Sequence, residues 1–358
     1  MQRSPLTELH RAAGARLAQR PEAPGFDAPL TFGDVPAEVR ACQAGAALFD
    51  ASDRGSVRVQ GNDAPSFLHR LLANDVRGLA PGRGNRNLLL SSKGKVRFDF
   101  DLAALESGFA LGAQPGRAAP LFAALDVYLF NDDVRLSDET ERCAPLELAG
   151  PRAPEVARAV LGAEAPSAPH AFLDAPWRGG PVRVTRLAVA GGPGLRLDGG
   201  PELVRPLWEA LVAAGAAPAG IVARDFARIE RGAALTGVDV SDDVYPEEAG
   251  LTDAFSLEKG CYIGQEVVAK IDTYGGLNKR LLVLRVSHDD PVAPGTRLLR
   301  DEDGEARDLG VVTSWGYSFA LDAGLVLGYV KRRHQEPGTT FRLGESGATA
   351  TIVPPPEA

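Results

Sequence analysis

From Lys279 onward the chain breaks into short β-prone runs: Leu281 to Val286, Thr296 to Arg300, Gly310 to Ser314, Leu325 to Val330 and Thr339 to Leu343. The pairs Pro294-Gly295, Asp303-Gly304 and Pro337-Gly338 separate them and supply the restricted and left-handed backbone angles of tight turns. Regular spacing of this kind predicts a small antiparallel β-barrel.

Upstream the texture changes. Ser4-Pro5 opens a helix that carries Ala13 and Leu17 on one face, and a Pro- and Gly-rich segment from Pro21 to Pro36 leads into a helical run from Ala37 to Ala44. Gly55 to Gly61 alternates at period two, and Ala64 to Leu72 follows at helical spacing until Asn74-Asp75. Arg86 to Leu90 and Val96 to Leu102 read as strands joined by the turn Ser91 to Lys95, a β-α-β-β pattern of an α+β layer. A second module begins near Pro145 with a helix ending at Leu161. Paired strands follow from Val182 to Leu187 and Gly194 to Leu197, then helices from Leu203 to Ala214 and Ile221 to Glu230. Residues 153–171 read as loop-prone outside that helix, and 354–358 as a loose tail.

One stretch reads as an address for reactivity: Lys259-Gly260-Cys261-Tyr262-Ile263-Gly264-Gln265-Glu266. Ile263, Val267, Val268 and Ile271 recur at helical spacing, so a helix starts near Gly264 and Cys261 lies just before its first turn. Free backbone donors and the Lys259 ammonium there would favour thiolate over thiol, lowering a cysteine pKa from about 8.5. The glycines would let a ligand or partner approach the backbone.

Composition narrows the classes. A 358-residue chain that is 44% hydrophobic has ample core for two to three domains. Its net charge of -8 argues against direct, nonspecific nucleic-acid binding. Cys42, Cys143 and Cys261 show no C-x-x-C spacing, which implies neither a disulfide framework nor a metal site and fits a cytoplasmic setting. No run has the length or apolarity of a signal peptide or membrane span, so no membrane role is expected. The five histidines show no ligand spacing, and Asp242-Asp243 with Glu247-Glu248 matches no metal loop, so no metal is expected. Gly82-Arg83-Gly84 and Gly191-Gly192-Pro193-Gly194 lack the Lys-Ser/Thr of a nucleotide loop.

Several segments together resemble the folate-binding aminomethyltransferase superfamily. They are Pro5 to His10, Gly45 to Asp50, Phe67 to Val76, Ala223 to Gly232 and Pro246 to Leu251. The octapeptide from Lys259 to Glu266, followed by Asn278-Lys279-Arg280, resembles the signature of its YgfZ-like iron-sulfur cluster maturation branch. The resemblance implies an α+β fold: a three-domain clover of two interleaved α+β folate-binding domains and a C-terminal antiparallel β-barrel. The expected limits are 1–145, 146–277 and 278–358. It also implies a tetrahydrofolate ligand, with Arg224 or Arg228 pairing its glutamate carboxylates and Asn74, Asp75, Asp99 and Glu248 as further contacts. The alternative for the two arginines is internal pairing with Asp225 or Glu230. Two departures from the glycine-cleavage enzymes stand out. The segment Gly94-Lys95-Val96-Arg97-Phe98-Asp99 keeps one acid where they carry a pair, and Ala190 to Gly194 lacks their glutamate.

Three functions follow from that resemblance. The first is a folate-binding factor that assembles or repairs iron-sulfur clusters in client enzymes, tRNA-modifying ones among them. Cys261 would be its reactive thiol, Lys259 would hold the thiol's charge, and Gly260, Tyr262, Gly264, Gln265 and Glu266 would support the motif. One cysteine cannot hold a cluster alone, so partners would be iron-sulfur clients or assembly proteins. The second is an aminomethyltransferase of glycine-cleavage type passing a one-carbon unit to tetrahydrofolate. The third is a non-catalytic, folate-responsive binding module.

Overall fold

In the computed structural model, which describes residues 4–20, 23–302 and 304–354, the chain packs as two units. The first takes the residues up to Leu90 together with Phe98–Arg224 and Asp253–Ile263; the second takes Ser91–Arg97, Asp225–Thr252 and the chain from Gly264 onward.

The first unit begins with helix α1 (Thr7–Ala12) and a two-stranded hairpin, β1 (Arg16–Arg20) with β2 (Ala23–Thr31). The N-terminal helix is therefore shorter than its apolar spacing predicts. It stops before Gly14, whose φ of 79° no helix accepts, and Leu17 belongs to a strand. Ser4 does not cap it either. Its hydroxyl donates to Asp50 at 2.5 Å, while His10 lies 2.9 Å from the same carboxylate. Burial alone would raise the Asp50 pKa, but the His10 and hydroxyl contacts outweigh it and hold it below 3.8. This Ser-His-Asp trio is sealed from solvent, with the carboxylate at its centre, so it latches the N-terminus.

Helix α2 (Val35–Ala44), capped by Asp34 at 2.9 Å, leads into β3 (Ala47–Asp50). Next comes a five-stranded sheet: β4 (Gly55–Gln60), helix α3 (Ala64–Leu71), β5 (Gly84–Leu90), β6 (Val96–Leu105), β7 (Gly108–Ala113), helix α4 (Ala118–Asp126) and β8 (Arg135–Asp138), in strand order 5-6-7-4-8. Phe67, Leu68 and Leu71 of α3 and Leu121 and Leu125 of α4 bury against Val57, Val59, Phe100 and Leu111 of the strands. Burying a side chain of this size contributes about 1.5 to 3 kcal/mol.

The chain then returns to β3. Strand β9 (Leu146–Ala149) pairs with it antiparallel, and the six-stranded sheet is completed by helix α5 (Ala153–Leu161), β10 (Phe172–Trp177), β11 (Gly180–Val189), β12 (Gly192–Asp198), helix α6 (Pro201–Ala213) and β13 (Ala217–Pro218), in strand order 10-11-12-9-3-13. Because β3 precedes the five-stranded sheet and β9 follows it, the two α+β layers are interleaved in sequence.

Helix α7 (Ile221–Glu230) contains the boundary between the units, after Arg224. The second unit adds a short turn of helix at Pro246–Ala249, helix α8 (Gln265–Tyr274) and a closed six-stranded antiparallel barrel. Its strands are β14 (Lys279–Val286), β15 (Arg297–Glu302), β16 (Glu305–Ser318), β17 (Ala323–Lys331), β18 (Thr340–Leu343) and β19 (Thr349–Ile352). The predicted barrel is present and gains β19. Asp303 of the predicted turn and residues 355–358 of the predicted tail lie outside the described residues.

A bulge in β16 between Val312 and Ser314 places two successive hydroxyls on one buried carboxylate. Thr313 and Ser314 donate to Asp239 Oδ1 at 2.5 and 2.7 Å, while Arg228 and the Leu235 amide donate to Oδ2 at 2.7 and 2.9 Å. Removing that carboxylate takes the buried acid from the Arg228 guanidinium, which is only 6% exposed and keeps Asp225 as its other acid, and leaves two hydroxyls and an amide without their acceptor. Asp239→Ala is expected to lower stability by about 3 to 5 kcal/mol, whereas the exposed pair member Glu209→Ala changes it by under about 1 kcal/mol; urea unfolding of both variants checks this.

Candidate functional site

The octapeptide is held from its first residue. Ser256 takes the amides of Glu258 and Lys259 on its hydroxyl, at 3.2 and 3.3 Å, and its own amide donates to Ala73 O at 2.9 Å. Asn74 donates to the Asp253 and Arg86 carbonyls at 2.9 and 3.0 Å. Lys259 then points back onto the C-terminal end of α3, where its ammonium donates to Leu72 O at 2.6 Å and to His69 O. The His69 ring returns a bond from Nε2 to Lys259 O at 2.9 Å. A cation on terminal helix carbonyls is favoured by the helix dipole. Lys259 is thus a clasp between the motif and α3. Burial nevertheless lowers its pKa to about 8, with Asp75 pulling upward.

Beyond the clasp, Cys261 is exposed and Tyr262 is buried with its ring 5.2 Å from the Lys259 ammonium. Gly260 has φ 101° with open space around it, so conformation alone demands glycine there. Gly264 has φ 82°, and a side chain would also strike Ser91 O and Gly94, so both conformation and space demand it. Gln265 is half-buried at the start of α8, and Glu266 is exposed and pairs with Lys270 at 2.6 Å, an ordinary i,i+4 helix pair. Cys261 lies three residues before the helix cap Gly264, where the apolar spacing predicts the helix to start.

The residues expected to contact folate mostly serve the fold. Asp99 is buried and held in a fork by Arg86, at 2.8 and 2.6 Å. Glu248 accepts the Tyr245 amide at 3.0 Å in a capping box. Besides Asp239, Arg228 engages Asp225 at 2.7 Å, Ser314 at 3.0 Å and Ala233 O at 3.2 Å, so four of its five N–H donors serve the fold. The internal pairing with Asp225 is the alternative that the structure contains. Asn74 is consumed by the loop contacts above. Asp75 keeps a side chain 48% exposed, 3.2 Å from His69. Arg224 pairs with Glu147, lies 5.1 Å from the Phe49 ring and keeps 18% side-chain exposure.

Sequence reasoning missed a cluster around Glu147. Arg54 and Arg196 approach it at 3.7 and 3.5 Å, Arg54 also lies 3.7 Å from Asp101, and Arg196 pairs with Asp101. Burial alone would raise Asp101, but Arg196 and Arg54 bring it to about 2. His170, held at φ 56°, faces Asp101 at 3.6 Å. Arg54, Asp101, His170 and Arg196, with Asp198 and Cys143, line a crevice within the first unit of about 100 Å³. Burial pushes the Cys143 thiol up to about 11, so that sulfur stays protonated and unreactive. The one sequence signal was a charge inside each short apolar run, as in Leu146-Glu147-Leu148 and Leu195-Arg196-Leu197.

Because Lys259 is deprotonated more readily folded than unfolded, the unfolded chain binds more protons between pH 8 and about 10.4, and stability contributed by this group rises with pH across that window. Competitive acylation is expected to label Lys259 with a midpoint near pH 8, below the other lysines. A midpoint near 10.4 contradicts the burial argument.

Residues 6–259 match the family model of the GCVT N-terminal domain, and residues 279–357 that of the glycine cleavage T-protein C-terminal barrel domain. An aminomethyltransferase from Rubrobacter xylanophilus is 33% identical over 99% of this chain and 94% of its own length. One from Thermus thermophilus is 30% identical over 94% and 93% respectively. The crystal structure of glycine cleavage system aminomethyltransferase T from Bartonella henselae matches with a TM-score of 0.86 at 28% identity, covering 98% of this chain and 96% of that one. With both domain models and relatives of this similarity spanning its length, the chain belongs to the glycine cleavage T-protein, or aminomethyltransferase, family.

Proposed function

We propose that this protein binds tetrahydrofolate and handles a one-carbon unit carried on it, as an aminomethyltransferase of glycine-cleavage type. The observation that carries this reading is the near-complete agreement of the chain, through both α+β layers and the barrel, with a structure titled as such an enzyme. A pteroylglutamate requires an apolar slot, acceptors for the pterin edge and cations for its carboxylates. Asn74, Asp99, Arg228 and Glu248 do not fit that task, since their polar atoms are engaged internally. The crevice at Asp101, at about 100 Å³, falls below the roughly 300 Å³ of a drug-sized site. Arg224 and Asp75 keep surface that a ligand reaches, and no chemical step is assigned through them. Titration of tetrahydrofolate is expected to show saturable binding, weakened about tenfold by Arg224→Lys, which keeps the charge beside Glu147 but removes the planar fork. With an aminomethyl-loaded lipoyl carrier, methylene-tetrahydrofolate forms at roughly 1 per second or faster. Binding without turnover contradicts the transferase reading.

The exposure of Cys261 on a clasped, glycine-flanked loop favours a second reading, the YgfZ-like role in iron-sulfur maturation. A fixed loop presenting a reachable thiol suits transient contact with a partner's cluster or thiol better than it suits chemistry inside a cavity. Under this reading Cys261→Ala lowers the activity of cluster-dependent enzymes in cells that carry only the variant. Full activity there removes the thiol from the mechanism.

A further inference from the structure

One charged surface of the second unit has no part in these readings. Strands β14 and β17 pair so that Lys279 lies directly opposite Lys331. Like charges facing each other across an antiparallel ladder are destabilising. The chain continues from β17 into a short turn of helix at Arg332–His334, and the Arg332 amide donates to Asn278 O at 2.9 Å, so the basic runs Asn278-Lys279-Arg280 and Lys331 to His334 lie side by side. Partners account for part of this charge. Lys279 sits 4.7 Å from the Tyr329 ring, Lys331 donates to Asp308 O at 2.8 Å, and His334 lies 3.5 Å from Glu302. Arg280, Arg332 and Arg333 are exposed, and no ion pair among the described residues engages them. Asn278 and Lys331 to His334 line one open concavity whose lining contains no carboxylate.

This accumulation stands on a chain of net charge -8. Arg332 reaches the C-terminal end of α8, its guanidinium 3.7 Å from where a side chain on Gly275 would begin. The negative pole of the helix offsets one charge there and leaves the others unopposed.

We propose that this surface docks an acidic segment of a partner protein. Glutamate and aspartate carboxylates match the exposed guanidinium forks, and desolvating such pairs gives orientation as well as attraction. Nucleic acid fits less well. Tyr329 is 4% exposed and covered by Lys279, so its ring is not open to a base. Position gives the surface its meaning: α8 has ten residues, about 15 Å of helix, and its other end carries Gln265 and Glu266 of the motif. A partner seated on Arg332 and Arg333 is therefore one helix length from the residues that follow Cys261 in the chain. The inference holds whichever reading of the motif is correct.

The test uses the full chain and two labelled probes, a hexaglutamate peptide and a single-stranded RNA of about twelve nucleotides, followed by fluorescence anisotropy. Hexaglutamate is expected to bind saturably, to weaken several-fold between about 50 and about 300 mM salt, and to weaken about tenfold in Arg332→Glu/Arg333→Glu. Lys279 and Lys331 stay unchanged because they contribute to barrel contacts, and an unaltered melting curve shows that the double variant is folded. Arg205→Glu, on α6, serves as the charge control and leaves binding unchanged. Absence of hexaglutamate binding, equal affinity in the double variant, or tighter RNA binding through the same arginines each overturns the proposal.

Discussion

The second unit depends on one buried carboxylate. Asp239 is 2% exposed, and stripping water from an isolated carboxylate costs several kcal/mol. Its lost hydration is replaced by a guanidinium from α7, an amide from the following loop and two hydroxyls from the bulge in β16, which all converge on it. Tyr329 adds a bond from its hydroxyl to the Asp239 carbonyl at 2.9 Å. Helix, loop and barrel are therefore located relative to one atom pair, and each donor is fixed because the others are.

The first unit repeats the device with different residues. Glu38 gathers Thr31, the Phe32 amide and the Gly220 amide at 2.7, 2.7 and 2.9 Å, while Asp50 gathers Ser4, His10 and Ser52. Asp99 is forked by Arg86, and Glu147 is surrounded by three arginines. Each node joins segments remote in sequence. This explains why polar residues that look suited to a ligand are unavailable: a charge placed inside must be matched by the protein itself. Lys259 follows the same rule with carbonyls as partners. Its capture by α3 leaves Cys261 exposed on an anchored loop.

Much of the architecture was legible. Strand β4 alternates, the barrel strands are short β-prone runs set off by turn residues, α3, α6 and α7 carry clear apolar faces, and glycine turns mark most boundaries. The misses have local causes. Strand β2 contains Pro24, Gly25 and Pro29, which look like loop, but among the described residues it pairs with β1 alone, and a two-stranded hairpin tolerates proline as an inner strand does not. Strands β9 and β19 have four residues each, too few to show a period, and hold their places through longer neighbours. The motif was visible because Lys, Cys and two separated glycines fit no packing pattern. The Glu147 cluster was not, since single charges inside apolar runs look like the outward face of a strand.

The sequence by itself determined the longer elements, the C-terminal barrel and the superfamily, because periodicity, turn residues and motif spacing are properties of neighbours along the chain. It also marked Cys261 as an unusual cysteine. Only the tertiary structure decided which charges face one another: that Lys259 reaches back to α3, that Arg228 belongs to Asp239, and that Lys279 and Lys331 stand opposed on adjacent strands. Whether a charged side chain serves a ligand or the fold depends on which remote residue arrives beside it, and that is settled by the closing of sheets and barrel.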